Sequence, residues 1–245
     1  MKVIGIIPSR FGSTRFPGKP LIDIHGKSMI QRVYEQCLKS ELDEVWVATD
    51  DNRIKEEVIS FNGQVVMTSP DISNGSERCR VAFRMIQSDA DAFINIQGDE
   101  PCISPQSINA LIQTLKQEEV RIATLIRKEE DEDEIVDPNR VKVVIDKNGK
   151  ALFFSRSVIP FPRKKPSDLI RYIHVGIYGF KSDCIDELDG MMQSAEEKAE
   201  QLEQLTWLVN GIDIYTALSE DNGPAIDSPA DYEYALANWK QFAID

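Results

Sequence analysis

Residues 3–19 read VIGIIPSRFGSTRFPGK, and this stretch determines the fold that we predict for the chain. Val3–Pro8 is a continuous apolar run, which is typical of a strand buried on both faces. The loop that follows holds Arg10, Arg15 and Lys19 together with glycines, whose backbone can approach a phosphate closely. A buried strand that runs into such a loop predicts an α/β protein with its ligand site at the carboxyl end of the first strand.

The remainder of the first half alternates between strand and helix patterns. Strands are predicted at Glu44–Thr49, Gln64–Thr68, Ala92–Ile96 and Ile122–Ile126, and helices at Ser28–Lys39, from Asp50 or Asp51 to near Gly63, at Glu77–Gln87 and at Ser104–Lys116. This alternation predicts a mainly parallel sheet with right-handed crossovers. Ligands of such sheets bind beyond the carboxyl ends of the strands, where the polar segments Ser9–Lys19 and Gln97–Pro101 lie.

The second half departs from this alternation. Strands are predicted at Val141–Ile145 and Ala151–Ser155, around the turn Lys147-Asn148-Gly149, and at Tyr172–Phe180 and Ile214–Leu218. We also predict a solvated acidic loop at Glu129–Glu134, one helix at Gln193–Asn210, and a last helix that opens on Asp227-Ser228-Pro229 as capping residue and proline. The chain is therefore predicted to be one domain over residues 1–245, with an antiparallel insertion at 138–180.

Composition excludes several classes of function. The 245 residues carry a net charge of −13, which disfavours binding to nucleic acid and to anionic membranes. No apolar run approaches the ~20 residues that span a bilayer, and we interpret the apolar N-terminus as a strand rather than a signal peptide. Four cysteines without a CxxC spacing predict reduced thiols and a cytoplasmic protein. With only two histidines, any metal is expected on oxygen ligands.

Two groups of polar residues suggest chemistry on a nucleotide. Arg10, Arg15 and Lys19 favour triphosphate binding, although the loop contains no Walker A or GxGxxG motif and an ordinary basic surface loop is the alternative. Asp99 directly follows a buried strand, where a carboxylate can hold Mg²⁺ while phosphates and water complete the coordination. Asp227, at another strand-to-helix junction, is the candidate second ligand. The alternatives are a turn cap for Asp99 and a helix cap for Asp227.

Ordered sequence blocks over nearly the whole chain carry a family resemblance. They are Ile6-Ile7-Pro8 with Arg10–Pro20, Val47–Asp50, Asn74–Arg78, Gln97–Pro101, Pro138-Asn139, Val141–Val144, Phe154–Arg156, His174–Gly179, Leu202–Leu205 and Ile226–Pro229. Together they resemble the 3-deoxy-manno-octulosonate (Kdo) cytidylyltransferases. The resemblance implies a Rossmann-like nucleotide-diphospho-sugar transferase fold and transfer of CMP from CTP to a Kdo-type sugar acid, with release of pyrophosphate, for lipopolysaccharide synthesis. It also implies Mg²⁺ as cofactor, a homodimer, and a role of the 138–180 insertion in sugar binding or dimerisation.

The resemblance further implies a role for each site residue. The catalytic residues would be Arg10, Arg15, Lys19 and Asp99, and the metal ligands Asp99 and Asp227. The nucleotide contacts would be Pro8, Arg10, Lys19, Gly75, Ser76, Arg78 and Gln97, and the sugar-acid contacts Gln97, Arg156, His174, Tyr178, Glu203 and Gln204. Amide, backbone and guanidinium groups can satisfy the hydrogen-bonding groups of cytosine, and an arginine can bind a carboxylate bidentately. Without the resemblance, His174 would be interpreted as structural, and Arg78, Glu203 and Gln204 as solvated helix residues.

Departures from the family pattern leave the substrate open. Thr206-Trp207 follows the LEQL block where the family commonly has arginine, the last motif reads AIDSPADY where GVDTPEDL is usual, and Asn74 and Phe180 replace other residues. Because Thr206 lies beside the sugar contacts in sequence, Kdo, 8-amino-Kdo and other octulosonic or nonulosonic acids all remain candidate substrates. A non-catalytic nucleotide-binding regulator is the alternative of another class. Asp99, Asp227 and Lys19 disfavour it, since a regulator needs no metal-assisted phosphoryl chemistry.

Overall fold

The computed structural model describes residues 1–12, 16–72, 74–87, 89–164, 169–219 and 223–242. The strands in this part of the chain are β1 (Val3–Ser9), β2 (Asp23–Ile24), β3 (Lys27–Ser28), β4 (Glu44–Thr49), β5 (Gln64–Met67), β6 (Ala92–Asn95), β7 (Ile122–Glu129), β8 (Lys142–Ile145), β9 (Ala151–Ser155), β10 (Arg171–Lys181) and β11 (Ile214–Leu218). The α-helices are α1 (Met29–Leu38), α2 (Asn52–Ser60), α3 (Gly75–Ile86), α4 (Pro105–Leu115), α5 (Glu132–Val136), α6 (Ile185–Asp189), α7 (Ala195–Glu200), α8 (Glu203–Val209) and α9 (Pro229–Phe242).

A central sheet has the strand order β11-β7-β10-β6-β1-β4-β5. β1 pairs in parallel with β4 and β6, β4 with β5, and β11 with β7, whereas β10 is antiparallel to both of its neighbours. β8 and β9 form the predicted hairpin, and β8 also pairs with β10. The predicted α/β fold, with a mainly parallel sheet and added antiparallel strands, is confirmed.

The chain reverses its direction of travel across the sheet beside β1. It passes from β1 to β4 and β5 on one side, and then returns to place β6 on the other side. Such a switch point opens a crevice at the carboxyl ends of the two central strands. The close approach of the segments there explains one glycine, because a Cβ on Gly98 would lie 3.0 Å from the carbonyl oxygen of Pro8.

Helix caps agree largely with the sequence. Asp51 accepts a hydrogen bond from the Arg53 amide at 2.9 Å, and Ser104 accepts one from the Ser107 amide at 3.1 Å, as expected of N-cap residues. The exception is α9, where Ser228 rather than Asp227 supplies the cap. The Ser228 hydroxyl accepts from the Asp231 amide at 3.3 Å, and the Asp231 carboxylate accepts from the Ser228 amide at 2.8 Å. This reciprocal arrangement leaves the Asp227 carboxylate to face another partner.

Two local predictions were wrong, and one helix was missed. The predicted helix Gln193–Asn210 is divided into α7 and α8 at Gln201, whose φ of 55° ends the first helix in a left-handed turn. The predicted acidic loop contains the end of β7 and α5, because Asp131 caps this helix and acidic side chains favour a first helical turn. Helix α6 was not predicted.

The predicted insertion at 138–180 is not separate from the main sheet, because its strand β10 belongs to both. Its first residues pair with β8, while Tyr178–Lys181 pair with β6 in the centre of the sheet. A register shift between Val175 and Tyr178 separates the two parts of the strand. The predicted insertion therefore contributes a strand to the main sheet, and this strand carries residues of the candidate site.

A small apolar cluster holds α9 against β2 and the start of α1. Its buried members are Ile24, Met29, Ile226 and Ala235, and partly buried side chains including Tyr232 and Trp239 pack around them. The hydroxyl of Tyr232 donates to the carbonyl of Asp23 at 2.6 Å. These contacts position Asp227, which directly follows Ile226. Within the described ranges, none of the helices combines the length and apolarity that crossing a bilayer requires.

Candidate active site

A cavity of about 430 Å³ lies at the switch point of the sheet. Its lining residues are Pro8, Ser9, Arg10, Gly12, Lys19, Pro20, Gly75, Arg78, Gln97, Gly98 and Asp99. They come from the end of β1, the loop after it, the start of α3 and the segment that follows β6. The structure thus brings together seven of the residues that the sequence assigned to nucleotide and catalysis, namely Pro8, Arg10, Lys19, Gly75, Arg78, Gln97 and Asp99. Arg15 lies outside the described residues.

Lys19 lies between the two carboxylates predicted to hold a metal. Its Nζ is 2.7 Å from an oxygen of Asp99 and 3.1 Å from an oxygen of Asp227. A hydrogen bond of 2.9 Å from the Ile226 amide to the Asp99 carbonyl joins the two segments. The carboxylate oxygens therefore converge on a position that one cation can reach.

This donor set fits Mg²⁺ only if ligands from outside the protein complete it. Among the described residues, no group of three or more His, Cys, Asp or Glu side chains is arranged to hold a metal. Mg²⁺ is commonly bound by one or two carboxylates, with phosphates and water in the remaining positions. Asp99 and Asp227, beside a cavity lined by Arg10 and Lys19, meet that description.

Arg78 is fully buried, although its position in a helix would ordinarily place it in solvent. Its guanidinium donates to the Thr68 hydroxyl, to Asp50 at 2.8 Å and to the Ile72 carbonyl at 3.2 Å. Its Nε is buried and has no hydrogen-bond partner in the described part of the chain. Asp50 also lies 3.8 Å from Nε of Arg10 and so joins the two arginines of the cavity. Sequence reasoning gave Asp50 no site role, although its place directly after β4 was a usable signal.

Gln97 connects the cavity to β10. Its Nε2 donates to the carbonyl of Gly176 at 2.9 Å, within the register shift of that strand. Gln97 therefore lies between the cavity and β10. Ser76 does not line the cavity. Its hydroxyl accepts a hydrogen bond of 3.4 Å from the side-chain amide of Asn95 in the protein interior.

A second polar group lies on β10 and α8. The rings of His174 and Tyr178 are 5.2 Å apart, and that of Trp207 is 5.2 Å from Tyr178. The Tyr178 hydroxyl and Nε2 of Gln204 are both buried without a hydrogen-bond partner in the residues that the structure describes. Leaving such a group unsatisfied costs about 1–3 kcal/mol, so these two donors are suited to a polar ligand. Burial, with the nearby Glu203 carboxylate, raises the pKa of Tyr178, which keeps the hydroxyl a donor.

The tautomer of His174 follows from its partner. The Thr124 hydroxyl has one hydrogen and lies 2.8 Å from the Ile177 carbonyl, which can only accept. The hydroxyl oxygen then accepts from Nε2–H of His174 at 2.9 Å, which leaves Nδ1 as the acceptor of the ring. Burial lowers the pKa of His174 to about 3, so the ring is neutral at neutral pH. Thr124, a core position on β7, was not predicted to support the site.

The low pKa of His174 predicts a dependence of stability on pH. The unfolded chain takes up a proton near the ordinary pKa of 6.5, whereas the folded chain resists it down to about 3. The histidine therefore makes the free energy of unfolding fall as the pH drops below 6.5. We expect His174→Phe to lessen the stability loss between pH 7 and pH 5 by about 1–2 kcal/mol in urea titrations. An equal loss in both proteins would show that the ring takes up its proton in the folded state.

Arg156 and Thr206 lie apart from the cavity lining. The Arg156 guanidinium donates to the carbonyls of Glu200 at 2.6 Å and Pro138 at 3.0 Å, at the end of β9. β9 neighbours the second polar group, since the Phe154 ring lies 5.1 Å from that of His174. The Thr206 hydroxyl accepts from the Ser194 amide at 2.9 Å and donates to Glu197, so it supports α7.

Comparison with known proteins identifies relatives over the full chain. The cytidylyltransferase family profile matches residues 4–214. A protein of Parabacteroides distasonis named 3-deoxy-manno-octulosonate cytidylyltransferase is 48% identical, over 97% of this chain and 98% of its own. A protein of the same name from Cytophaga hutchinsonii is 44% identical, over 94% and 95% of the two chains.

A solved structure extends the similarity to three dimensions. It is that of a CMP:2-keto-3-deoxy-manno-octonic acid synthetase in complex with CTP, which superimposes with a TM-score of 0.93. The two sequences are 41% identical, and the match covers 98% of this chain and 99% of the other. The likeness therefore includes both the parallel part of the sheet and the antiparallel strands.

Proposed function

This chain belongs to the 3-deoxy-manno-octulosonate cytidylyltransferase family, and from that premise we propose that it transfers CMP from CTP to Kdo and releases pyrophosphate. The observation that carries the proposal is the contact of Lys19 with both Asp99 and Asp227, beside a cavity lined by Lys19, Asp99, Arg10 and Arg78. Cations there suit a triphosphate, and carboxylates suit the metal that accompanies it. The product would feed lipopolysaccharide assembly.

The protein's own side chains would act on charge and position. The anomeric hydroxyl of the sugar acid attacks the α-phosphorus of CTP in line, forming the new O–P bond as the bond to pyrophosphate breaks, and the hydroxyl proton passes to solvent water. Arg10 and Lys19 neutralise the charge that develops on pyrophosphate. Asp99 and Asp227 would hold Mg²⁺, which when bound polarises phosphate oxygens and screens their charge. Catalysis is then chiefly orientation and electrostatic stabilisation.

The base and sugar sites follow from the buried polar groups. Arg78 and Gln97, held at the cavity by Asp50 and Gly176, would recognise cytosine. On the sugar side, the Tyr178 hydroxyl and the Gln204 amide would donate to sugar oxygens, and Nδ1 of His174 would accept from a sugar hydroxyl. Arg156 would bind the carboxylate. The hydrogen bonds of the Thr206 hydroxyl to Ser194 and Glu197, rather than to the residues of the sugar site, support Kdo itself as the sugar acid.

Substrate panels test this assignment. The purified protein with Mg²⁺ should release pyrophosphate from CTP and Kdo much faster than from ATP, GTP or UTP with Kdo. Replacing Kdo by 8-amino-Kdo or by a nine-carbon sialic acid should lower kcat/KM. Binding of CTP without pyrophosphate release in any combination would instead support a nucleotide-binding regulator.

Two substitutions in the sugar site should have different effects. Arg156→Ala should lower kcat/KM for Kdo and for 8-amino-Kdo together, because both acids carry the carboxylate. If the carboxylate pair is buried, the loss corresponds to ~2–5 kcal/mol of binding free energy. Glu203→Gln should change the ratio between the acids, since a carboxylate binds an ammonium more strongly than a hydroxyl. Competition between the two acids, with wild type and both variants, measures the ratio. A ratio that moves in Arg156→Ala and stays constant in Glu203→Gln would reverse the two roles.

We propose that the protein works as a homodimer in the cytoplasm. Exposed apolar side chains support the dimer, and the buried thiols support the cytoplasmic location. Leu152 and Phe153 on β9, and Phe161 and Ile170 beyond it, are 38–82% exposed. The four cysteines are buried thiols, as a reducing compartment allows. Sedimentation velocity should give twice the chain mass of 27.7 kDa. The Phe161→Asp substitution should shift the sedimenting mass towards that of a single chain. A wild-type protein that sediments as one chain at micromolar concentration would contradict the dimer.

A further inference from the structure

An ion-pair network joins the helix of the nucleotide site to the helix of the sugar site. Nε of Arg80 on α3 lies 2.5 Å from Asp189, at the end of α6, and its Nη1 lies 3.4 Å from an oxygen of Glu203, the first residue of α8. Arg84, one turn further along α3, also binds Asp189 and lies 2.6 Å from Asp186. One helix therefore carries Gly75 and Arg78 of the cavity and the cation that contacts Glu203.

The two arginines of this network lie in different environments. The Arg80 side chain is 8% exposed, whereas that of Arg84 is 42% exposed and its partner Asp186 is 95% exposed. Exposed pairs contribute ~0–1 kcal/mol, but a buried cation must keep its partners or lose the compensation for its charge. Although burial alone would raise the pKa of Asp189, hydrogen bonds from Arg84 and Arg80 lower it, so this carboxylate stays ionised and fixes Arg80.

Glu203 needs such a support. It is a flexible side chain, and its carboxylate is close enough to the buried Tyr178 hydroxyl to help raise the pKa of that group. Holding it before the ligand arrives removes part of the entropy cost of ordering it on binding. The Arg80 guanidinium, a planar fork, can bind two carboxylates at once, which a lysine ammonium does less well.

We propose that Arg80 is a positioning residue for the sugar site: bridging Asp189 and Glu203, it holds the Glu203 carboxylate at the sugar acid and compensates its charge. The inference rests on the proposed function, in which Glu203 contacts the sugar acid, and adds a residue to which sequence reasoning gave no role. In this proposal Arg80 contacts neither substrate, and its effect on the sugar acid passes through Glu203.

Steady-state kinetics with a matched control test this role. Arg80→Gln should raise KM for Kdo about tenfold while KM for CTP changes less than about twofold, because only the sugar contact loses its support. Arg84→Gln, on the same helix and bound to the same Asp189, should leave both constants within about twofold of wild type. If Arg80→Gln folds poorly, Arg80→Lys keeps the buried charge without the bridging fork, and KM for Kdo should still rise.

A double-variant cycle separates positioning from a general structural role. In the Glu203→Gln background, Arg80→Gln should add less than about twofold to KM for Kdo, since its route to the sugar is already removed. Full additivity, or equal increases in KM for CTP and Kdo, would overturn the proposal. A crystal structure of Arg80→Gln gives a readout that needs no activity: the Glu203 carboxylate should move, and an unmoved carboxylate would overturn it. Absence of turnover by the wild type with every sugar acid would instead contradict the proposed function.

Discussion

Asp99→Asn is expected to lower kcat at least ~100-fold, about the effect of removing one strong electrostatic contact at a reacting centre. The change keeps the shape of the side chain and removes the charge that faces Asp227 across Lys19. CTP should still bind weakly, because Arg10, Lys19 and Arg78 remain in the cavity lining. Rapid-quench measurement of CMP-Kdo formation at saturating substrates, over a range of Mg²⁺ concentrations, gives the loss.

Asp213→Asn is the matched control for this prediction. It makes the same chemical change at an exposed carboxylate that forms a surface pair with Lys150 at 3.3 Å. Such a pair contributes ~0–1 kcal/mol, so the control should retain the kcat of the wild type. Near-normal turnover of Asp99→Asn would reject the metal and catalytic roles of this residue.

Lys19→Ala is expected to lower kcat about 100-fold as well, with KM for Kdo within about threefold of wild type. The ammonium lies between two carboxylates at the edge of the cavity, where it can meet the departing phosphates. An interaction made mainly in the transition state lowers kcat and leaves the binding of the second substrate unchanged. Steady-state kinetics with each substrate varied in turn measures the two constants.

Lys27→Ala provides the comparison for Lys19. Lys27 also ends in an ion pair, 2.6 Å from Glu35, but this pair is partly exposed and lies outside the cavity lining. Its loss should leave both constants unchanged. If Lys19→Ala raised only KM for Kdo, the loop after β1 would belong to the sugar site.

The sequence predicted the cavity well because one topological rule determines it. Parallel strands bring their carboxyl ends to one edge, so the loop after β1 and Gln97–Asp99 after β6 had to meet there. Assigning Gly75 and Arg78 to the same site required the family resemblance. Their positions near the start of a helix give no information on which end of the sheet that helix faces.

Other parts of the site depend on contacts that local sequence does not encode. The burial of Arg78 depends on Thr68 and Asp50, which come from separate parts of the chain. The division between α7 and α8 depends on one left-handed residue, Gln201, in a sequence with otherwise helical spacing. Arg80 lies 109 residues from Asp189 and 123 from Glu203 along the chain, so only the folded chain shows the bridge.

The central measurement is whether the purified protein joins CTP to Kdo. Phosphorus NMR of the purified protein with CTP, Kdo and Mg²⁺ should show pyrophosphate and CMP-Kdo appearing in equal amounts as CTP disappears. Omitting either Kdo or Mg²⁺ should abolish both signals. Pyrophosphate formed without Kdo, or CTP left intact in the complete mixture, would contradict the assignment of this chain as a Kdo cytidylyltransferase.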